Sequence, residues 1–228
     1  MLLLMDKPIE NIMEPPLRFS NSKYFSEAEL KERREGNDDQ RLWSLLSDIK
    51  KRANFTSPKS TPVQILDIAC GVCREAELLI KFFGNGSPES DGQDVNLIGV
   101  DIDQSKIDAA IKFNSSNNFK NQTSFICRDA TKLDEYPEIP DQVDLIMIRA
   151  QQISNSRQIW TEIFGQAIKK LTTNGIMIVT SYSNEEHQML KDATKDLPFQ
   201  IVIDETNPHS RISDGHGPDM KVLVVKRK

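Results

Sequence analysis

The sequence predicts an α/β protein: a three-layer sandwich with a mostly parallel, seven-stranded sheet, its last strand antiparallel, and additional helices at the N-terminus. Two observations carry this prediction. From residue 63 onward, short apolar runs alternate with stretches of helical periodicity; parallel strands need crossover helices of that length, and such a sheet is covered on both faces. The last two apolar runs, in contrast, are separated only by a loop containing Gly and Pro, as in a terminal hairpin.

Residues 1–60 read as an N-terminal helical segment, a cap or lid, and residues 61–228 as the main domain. Pro8, Pro15 and Pro16 interrupt the beginning, and Ser26-Glu27-Ala28-Glu29 has the form of a capping box. Leu42, Leu45, Leu46 and Ile49 then recur at helical spacing. Ser57, Pro58, Ser60 and Pro62 make the break before the first strand, Val63–Ile68, which leads to a helix over Glu75–Phe83. An insertion at 84–94 precedes the second strand, Asn96–Val100. Asp103 is placed to cap the next helix, whose buried face is expected at Ile107, Ala110 and Ile111.

Thr123–Cys127 and Val143–Ile148 are the third and fourth strands, joined by a loop with Pro137 and Pro140. In the helix Arg157–Leu171, Trp160, Ile163, Phe164, Ala167, Ile168 and Leu171 line one face, and Asn174-Gly175 supplies the stop. The fifth strand, Ile176–Thr180, follows directly. A second capping box, Ser183 to Glu186, opens a helix to about Lys195, and Phe199–Ile203 and Lys221–Val225 close the chain.

The chain has 228 residues, is 38% hydrophobic and carries a formal charge of −5. The acidic balance argues against broad nucleic-acid backbone binding, which needs clustered Lys and Arg. Lys50-Lys51-Arg52 and Lys226-Arg227-Lys228 read as solvated surface. The opening Leu2-Leu3-Leu4-Met5 run is too short for a signal-peptide core, and no apolar stretch reaches the roughly 20 residues of a membrane span. Cys70, Cys73 and Cys127 do not resemble a secreted disulfide framework, so a cytoplasmic location is expected.

In open parallel sheets, ligands bind at the carboxyl ends of strands where the strand order reverses. The first strand ends in Ile65-Leu66-Asp67-Ile68-Ala69-Cys70-Gly71-Val72-Cys73-Arg74-Glu75. Small residues at 69–71 allow a tight turn and close backbone approach, and the helix that follows offers free amides to a carboxylate. The second strand ends in Gly99-Val100-Asp101-Ile102-Asp103, and an acid there can accept hydrogen bonds from ribose hydroxyls. Asp101 lies 30 residues beyond Gly71, and the 84–94 insertion accounts for the excess over the usual 20 or so.

This segment resembles motif I of the class I S-adenosylmethionine-dependent methyltransferases, an Asp followed by three alternating small positions. Asp67, Ala69, Gly71 and Cys73 match it, with Ala a mild departure and Cys73 a larger one, because a side chain stands where the family usually keeps none. The resemblance covers roughly residues 60–228 and implies a Rossmann-like methyltransferase fold with S-adenosylmethionine as cofactor. It further implies that Asp67, Ala69, Cys70 and Gly71 line the cofactor, that Asp101 holds its ribose, and that Ile102 lines the adenine. Asp129 and Ala130, after the third strand, take positions facing the adenine amino group. Arg149, after the fourth strand Val143–Ile148, stands where the family commonly places substrate-facing groups and is counted with the cofactor residues.

Each residue also has a structural reading. Asp67 can fix the turn, Asp101 can cap a helix (although Asp103 already serves there), and Asp129 can be an ordinary loop acid. Arg149, Gln151 and Gln152 read equally well as a polar loop, and Phe19, Tyr24 and Phe25 as packing or as a lid. His209 and His216 read as exposed polar residues. The Cys70-x-x-Cys73 pair invites a zinc or redox reading, but the three histidines are far away in sequence, and no metal site is expected. Positions 69–74 hold only Gly71 of a G-x-G-x-x-G pattern, which argues against a nicotinamide-dependent oxidoreductase. The leading expectation is methyl transfer to a small molecule, with no catalytic residue singled out. The alternative is a cofactor-binding or interaction module that has lost catalysis.

Overall fold

The computed structural model describes residues 37–56, 62–84, 94–115, 119, 122–211 and 217–228. The capping box at Ser26–Glu29, the aromatics Phe19, Tyr24 and Phe25, most of the 84–94 insertion, and His216 lie outside the described residues. Residues Asp39–Lys228 form one compact unit.

Seven strands are ordered β3-β2-β1-β4-β5-β7-β6 in a single sheet. They are β1 (Val63–Ile68), β2 (Val95–Asp101), β3 (Thr123–Cys127), β4 (Val143–Ile148), β5 (Leu171–Ser181), β6 (Phe199–Thr206) and β7 (Lys221–Arg227). The first five pair in parallel, and β7 inserts antiparallel between β5 and β6. Among the described residues, five helices cover the sheet: α1 (Asn37–Arg52), α2 (Ala76–Phe83), α3 (Gln104–Asn114), α4 (Arg157–Lys170) and α5 (Asn184–Thr194).

Alternate strand residues feed two separate cores, as a period of two requires. Ile65, Leu97, Leu145, Met147, Ile178 and Val224 face the cluster that holds α1 and α2, where Leu42, Leu46, Leu79, Phe82 and Phe83 are buried. Leu66, Val100, Ile146, Ile148, Val179 and Val225 face the other, built on Phe164 and Ile168 of α4 and Leu190 of α5. The predicted stripe of α1 is therefore a packing face. Trp43 meets Phe82 edge-on at a centroid distance of 4.9 Å.

Three details differ from expectation. Ile111 is 49% exposed, not buried; α3 buries Ile107, Ala110 and Asn114 instead. Asn114 occupies the inward position because its amide donates to the carbonyls of Ala110 (3.0 Å) and Cys73 (3.4 Å). Next, α4 stops at Lys170 and β5 begins at Leu171. Its register jumps from Val143↔Leu171 to Leu145↔Ile176, so Thr172–Gly175 bulges out of the ladder. A Cβ at Gly175 would lie 3.0 Å from the Asp144 carbonyl, which explains the glycine. Third, only half of the Ser183 capping box forms. Ser183 Oγ accepts from the Glu186 amide at 3.2 Å, while the Glu186 carboxylate accepts from Ile153 N (2.8 Å) and Ser154 Oγ (2.6 Å). Glu186 thus ties α5 to the turn that follows β4.

Candidate cofactor site at the carboxyl ends of β1, β2 and β4

The strand order reverses between β1 and β4, and the loop leaving β1 crosses this point. Its backbone alternates in hand. Ala69, Gly71 and Cys73 have φ of 55°, 58° and 46°. These are the three small positions of motif I, so the pattern has a conformational cause: each stands in the left-handed region that glycine adopts freely. Ala69 and Cys73 hold it with a Cβ, at a cost of about 1–2 kcal/mol each. Hydrogen bonds hold the loop in place: Cys70 N donates to the Val100 carbonyl (3.0 Å) and Cys73 N to the Cys70 carbonyl (2.8 Å).

Asp101 joins this loop to β2. Its Oδ2 accepts from Gly71 N at 2.9 Å, and its Oδ1 from Asp103 N at 2.9 Å. The Lys106 ammonium stands 3.8 Å away. The residue is 4% exposed. Asp103 is free of that duty and caps α3 by accepting from Ser105 N at 2.9 Å. Next to Asp101, Ile102 is 74% exposed.

Asp67 is buried under the loop. Its Oδ2 accepts from the Cys73 thiol at 3.0 Å, and its Oδ1 is buried without a hydrogen-bond partner. Burial, followed by the nearby negative charge of Glu75, pushes its carboxyl well above the usual carboxylate range. The Cys73 thiol is likewise pushed well up by its bond to Cys70 and by burial. The Cys73 side chain therefore turns inward onto Asp67.

At the end of β3, Asp129 accepts from Thr131 N (2.9 Å) and Thr131 Oγ1 (2.8 Å), capping the short 3-10 turn that Ala130 begins. Arg128 N donates to the Asp101 carbonyl at 3.0 Å, which staples this strand end to β2.

After β4, the Arg149 guanidinium grips Asp219 with Nε at 2.9 Å and Nη2 at 2.6 Å from Oδ2. Thr180 Oγ1 donates to Asp219 Oδ1 at 2.6 Å and accepts from Ala150 N at 3.0 Å. Asn207 Nδ2 donates to the Asp219 carbonyl at 2.9 Å. Gln151 spans the switch point, its amide donating to the carbonyls of Ala69 (3.1 Å) and Arg149 (2.7 Å). His209, read as an exposed polar residue, bonds Asp48 of α1 at 2.7 Å.

Of the residues marked in the sequence, Asp67, Ala69, Cys70, Gly71, Asp101 and Ile102 come together around one loop. Asp129 and Ala130 stand at the end of β3, which pairs with β2 through Asp101↔Cys127. Arg149 is committed to Asp219. Sequence reasoning missed Asp219, Thr180 and Glu75. Asp219 lies 70 residues from Arg149, and no local signal links the two.

The residues present fit an adenosyl ligand. A Cβ built on Gly71 meets nothing within 4 Å, so the loop has open space at the switch point. Ile102 offers an exposed apolar surface. The Asp101 carboxylate, although engaged twice, keeps lone pairs for hydroxyl donors.

The comparisons agree with this geometry. A protein family described as a methyltransferase domain matches residues 59–213, more than half of the chain. Among solved structures, the chain is similar to a S-adenosylmethionine-dependent methyltransferase from Clostridium acetobutylicum ATCC 824, with 14% identity and a TM-score of 0.58 over 88% of this chain and 97% of that one. It is also similar to an rRNA methylase from Streptococcus thermophilus, at 11% identity and a TM-score of 0.55, covering 77% of this chain and 90% of that one. A third is the magnesium protoporphyrin IX methyltransferase from Synechocystis PCC 6803 with bound S-adenosylmethionine, at 12% identity and a TM-score of 0.55, covering 85% and 79%. No curated protein matches the chain in sequence. No helix among the described residues is long and apolar enough to cross a membrane. With its β3-β2-β1-β4-β5-β7-β6 sheet and the motif I loop at the switch point, the chain belongs to the class I S-adenosylmethionine-dependent methyltransferase family.

Proposed function

We propose that the chain binds S-adenosylmethionine against the Ala69–Cys73 loop and transfers its methyl group to a small-molecule acceptor. The observation that carries this reading is the Asp101 carboxylate, which holds the left-handed Gly71 amide at 2.9 Å beside the exposed Ile102. In this reading Asp101 accepts the ribose hydroxyls, Ile102 covers the adenine, and Asp67 supports from beneath the loop that holds the methionine end. Asp129 and Ala130 border the base from β3.

The cofactor supplies an activated methyl on a sulfonium, whose departure leaves a neutral thioether. The protein's own task is then positioning: holding a nucleophile about 3 Å from the methyl carbon and in line with the breaking bond. A base is required only where the acceptor must lose a proton.

The small-molecule assignment rests on charge. Three basic side chains near the strand ends are drawn to acids or carbonyls: Arg149 to Asp219, Lys106 near Asp101, and Arg128 to Glu138 and the Cys127 carbonyl, while Arg74 lies over the Phe113 ring. Such pairing, on a chain of net charge −5, fits a small acceptor better than a phosphate backbone. The rRNA methylase likeness makes RNA the reading to test against.

Calorimetry with S-adenosylhomocysteine tests the site. Micromolar binding is expected, weakened ten-fold or more in Asp101→Ala, about 1.4 kcal/mol. An absence of binding at millimolar ligand overturns the reading and favours a module that has lost catalysis. In the acceptor assay, methylation of RNA but of no small molecule would overturn the acceptor class alone.

A further inference from the structure

We propose that Asp67, Cys73 and Glu75 form a binding site for a thiophilic divalent cation of the zinc class, created by the cysteine that replaces the third small residue of motif I. Among the described residues, their ligand atoms lie within 4.8 Å of one another, and all three residues are buried. Neighbouring sulfur and oxygen ligands of a tetrahedral zinc ion, at 2.3 Å and about 2.2 Å from the metal, stand roughly 3.7 Å apart, so the trio closes in by about 1 Å at most when the ion binds. These residues supply three of the four positions of a tetrahedral site, and a water molecule takes the fourth. The histidines that sequence reasoning looked for are not needed, because carboxylates complete the set.

A second, independent observation points to a ligand. Asp67 is 1% exposed, yet its Oδ1 has no hydrogen-bond partner. A buried acceptor left unmade costs about 1–3 kcal/mol, and a cation would satisfy it. When a divalent ion binds, the Cys73 S–H bond and the Asp67 O–H bond break, both protons leave to solvent, and the thiolate and carboxylate lone pairs bond the metal. A thiolate beside carboxylates selects zinc over magnesium or calcium, which prefer oxygen alone. A glycine at position 73 would remove the sulfur and leave only two acids.

The site does not depend on cofactor binding, and the test separates the two. The metal-stripped, reduced full-length protein is titrated with cadmium, whose thiolate charge-transfer absorption reports sulfur coordination, and zinc is then added in competition. One equivalent with a charge-transfer band, displaced by zinc, is expected. Cys73→Gly, which suits φ of 46° at that position, is expected to abolish the band, and Glu75→Gln to weaken binding at least ten-fold. Cys127→Ser should leave the band intact. No band in the wild type, or a band that survives in Cys73→Gly, overturns the proposal. Cadmium binding without S-adenosylhomocysteine binding upholds this site and sinks the methyltransferase reading; the reverse result upholds that reading and removes the metal.

Discussion

The two halves of the strand-end surface are built on opposite principles. On the β1–β2 side, backbone amides and short-range turns do the work. Ala69 and Cys73 are held left-handed, Asp101 grips the amides of Gly71 and Asp103, and Asp67 keeps a buried oxygen without a partner. On the β4–β5–β7 side, side chains do the work, although Ala150 and Asp219 also stand at left-handed φ of 52° and 53° and Ser181 Oγ is buried without a hydrogen-bond partner. Arg149, Asp219, Thr180, Ala150 and Asn207 close a network in which both Asp219 carboxylate oxygens are bonded. Both halves therefore hold strained backbone, and they differ in their buried acids: both oxygens of Asp219 are bonded, whereas one oxygen of Asp67 is left for a ligand to satisfy. The clamp therefore reads as the wall against which the loop works.

The largest effect expected from breaking this contrast is at the clamp. Asp219→Ala leaves the Arg149 guanidinium, only 14% exposed in its side chain, without its counter-charge. Removing one member of such a buried pair costs about 3–5 kcal/mol, read as a lower urea midpoint. Replacing Arg149 and Asp219 together by apolar residues of similar size should cost far less. A double variant as unstable as Asp219→Ala would show that the network matters for more than charge pairing.

The next effect sharpens the other half through pH. The Asp67 carboxyl is raised in the folded protein, chiefly by burial and then by Glu75. The native state therefore binds the proton more tightly than the unfolded chain. Its contribution is full below the unfolded value of about 3.9 and is lost as pH rises toward the folded value. Asp67→Asn should consequently gain stability relative to wild type at neutral pH, and that gain should vanish near pH 4. Denaturant midpoints at both pH values check this; a constant difference would mean that Asp67 does not hold its proton.

The smallest expected effect is at Ala69. Ala69→Gly relieves a residue at φ of 55°, and the greater freedom of glycine in the unfolded chain offsets part of the gain. A net stabilisation of about 0.5–1 kcal/mol is expected, measured by thermal unfolding. A loss would mean that the alanine methyl packs usefully where it stands.

The fold was legible because its signals are local. Continuous apolar runs such as Leu145–Ile148 reported strands buried on both faces, and the α4 stripe reported its packing face. The ends of elements were less so. Ile111 failed because a polar residue, Asn114, took the inward position through hydrogen bonds to its own turn and to Cys73. Glu186 failed as a capping partner because amides of the turn after β4, over 30 residues away, competed for its carboxylate.

The candidate site divides the same way. The positions of Asp67, Gly71 and Asp101 at strand ends follow from the spacing of apolar runs, because every parallel strand presents its carboxyl end to the same side of the sheet. Tertiary structure alone decided what their side chains do. Only the fold brings the Cys73 thiol back under its own loop to Asp67, sets Glu75 beside them, and closes Arg149 onto Asp219 across 70 residues. Short-range periodicity is carried by neighbours in the chain. The pairing of buried charges depends on which distant residues the crossovers bring together in a space without water.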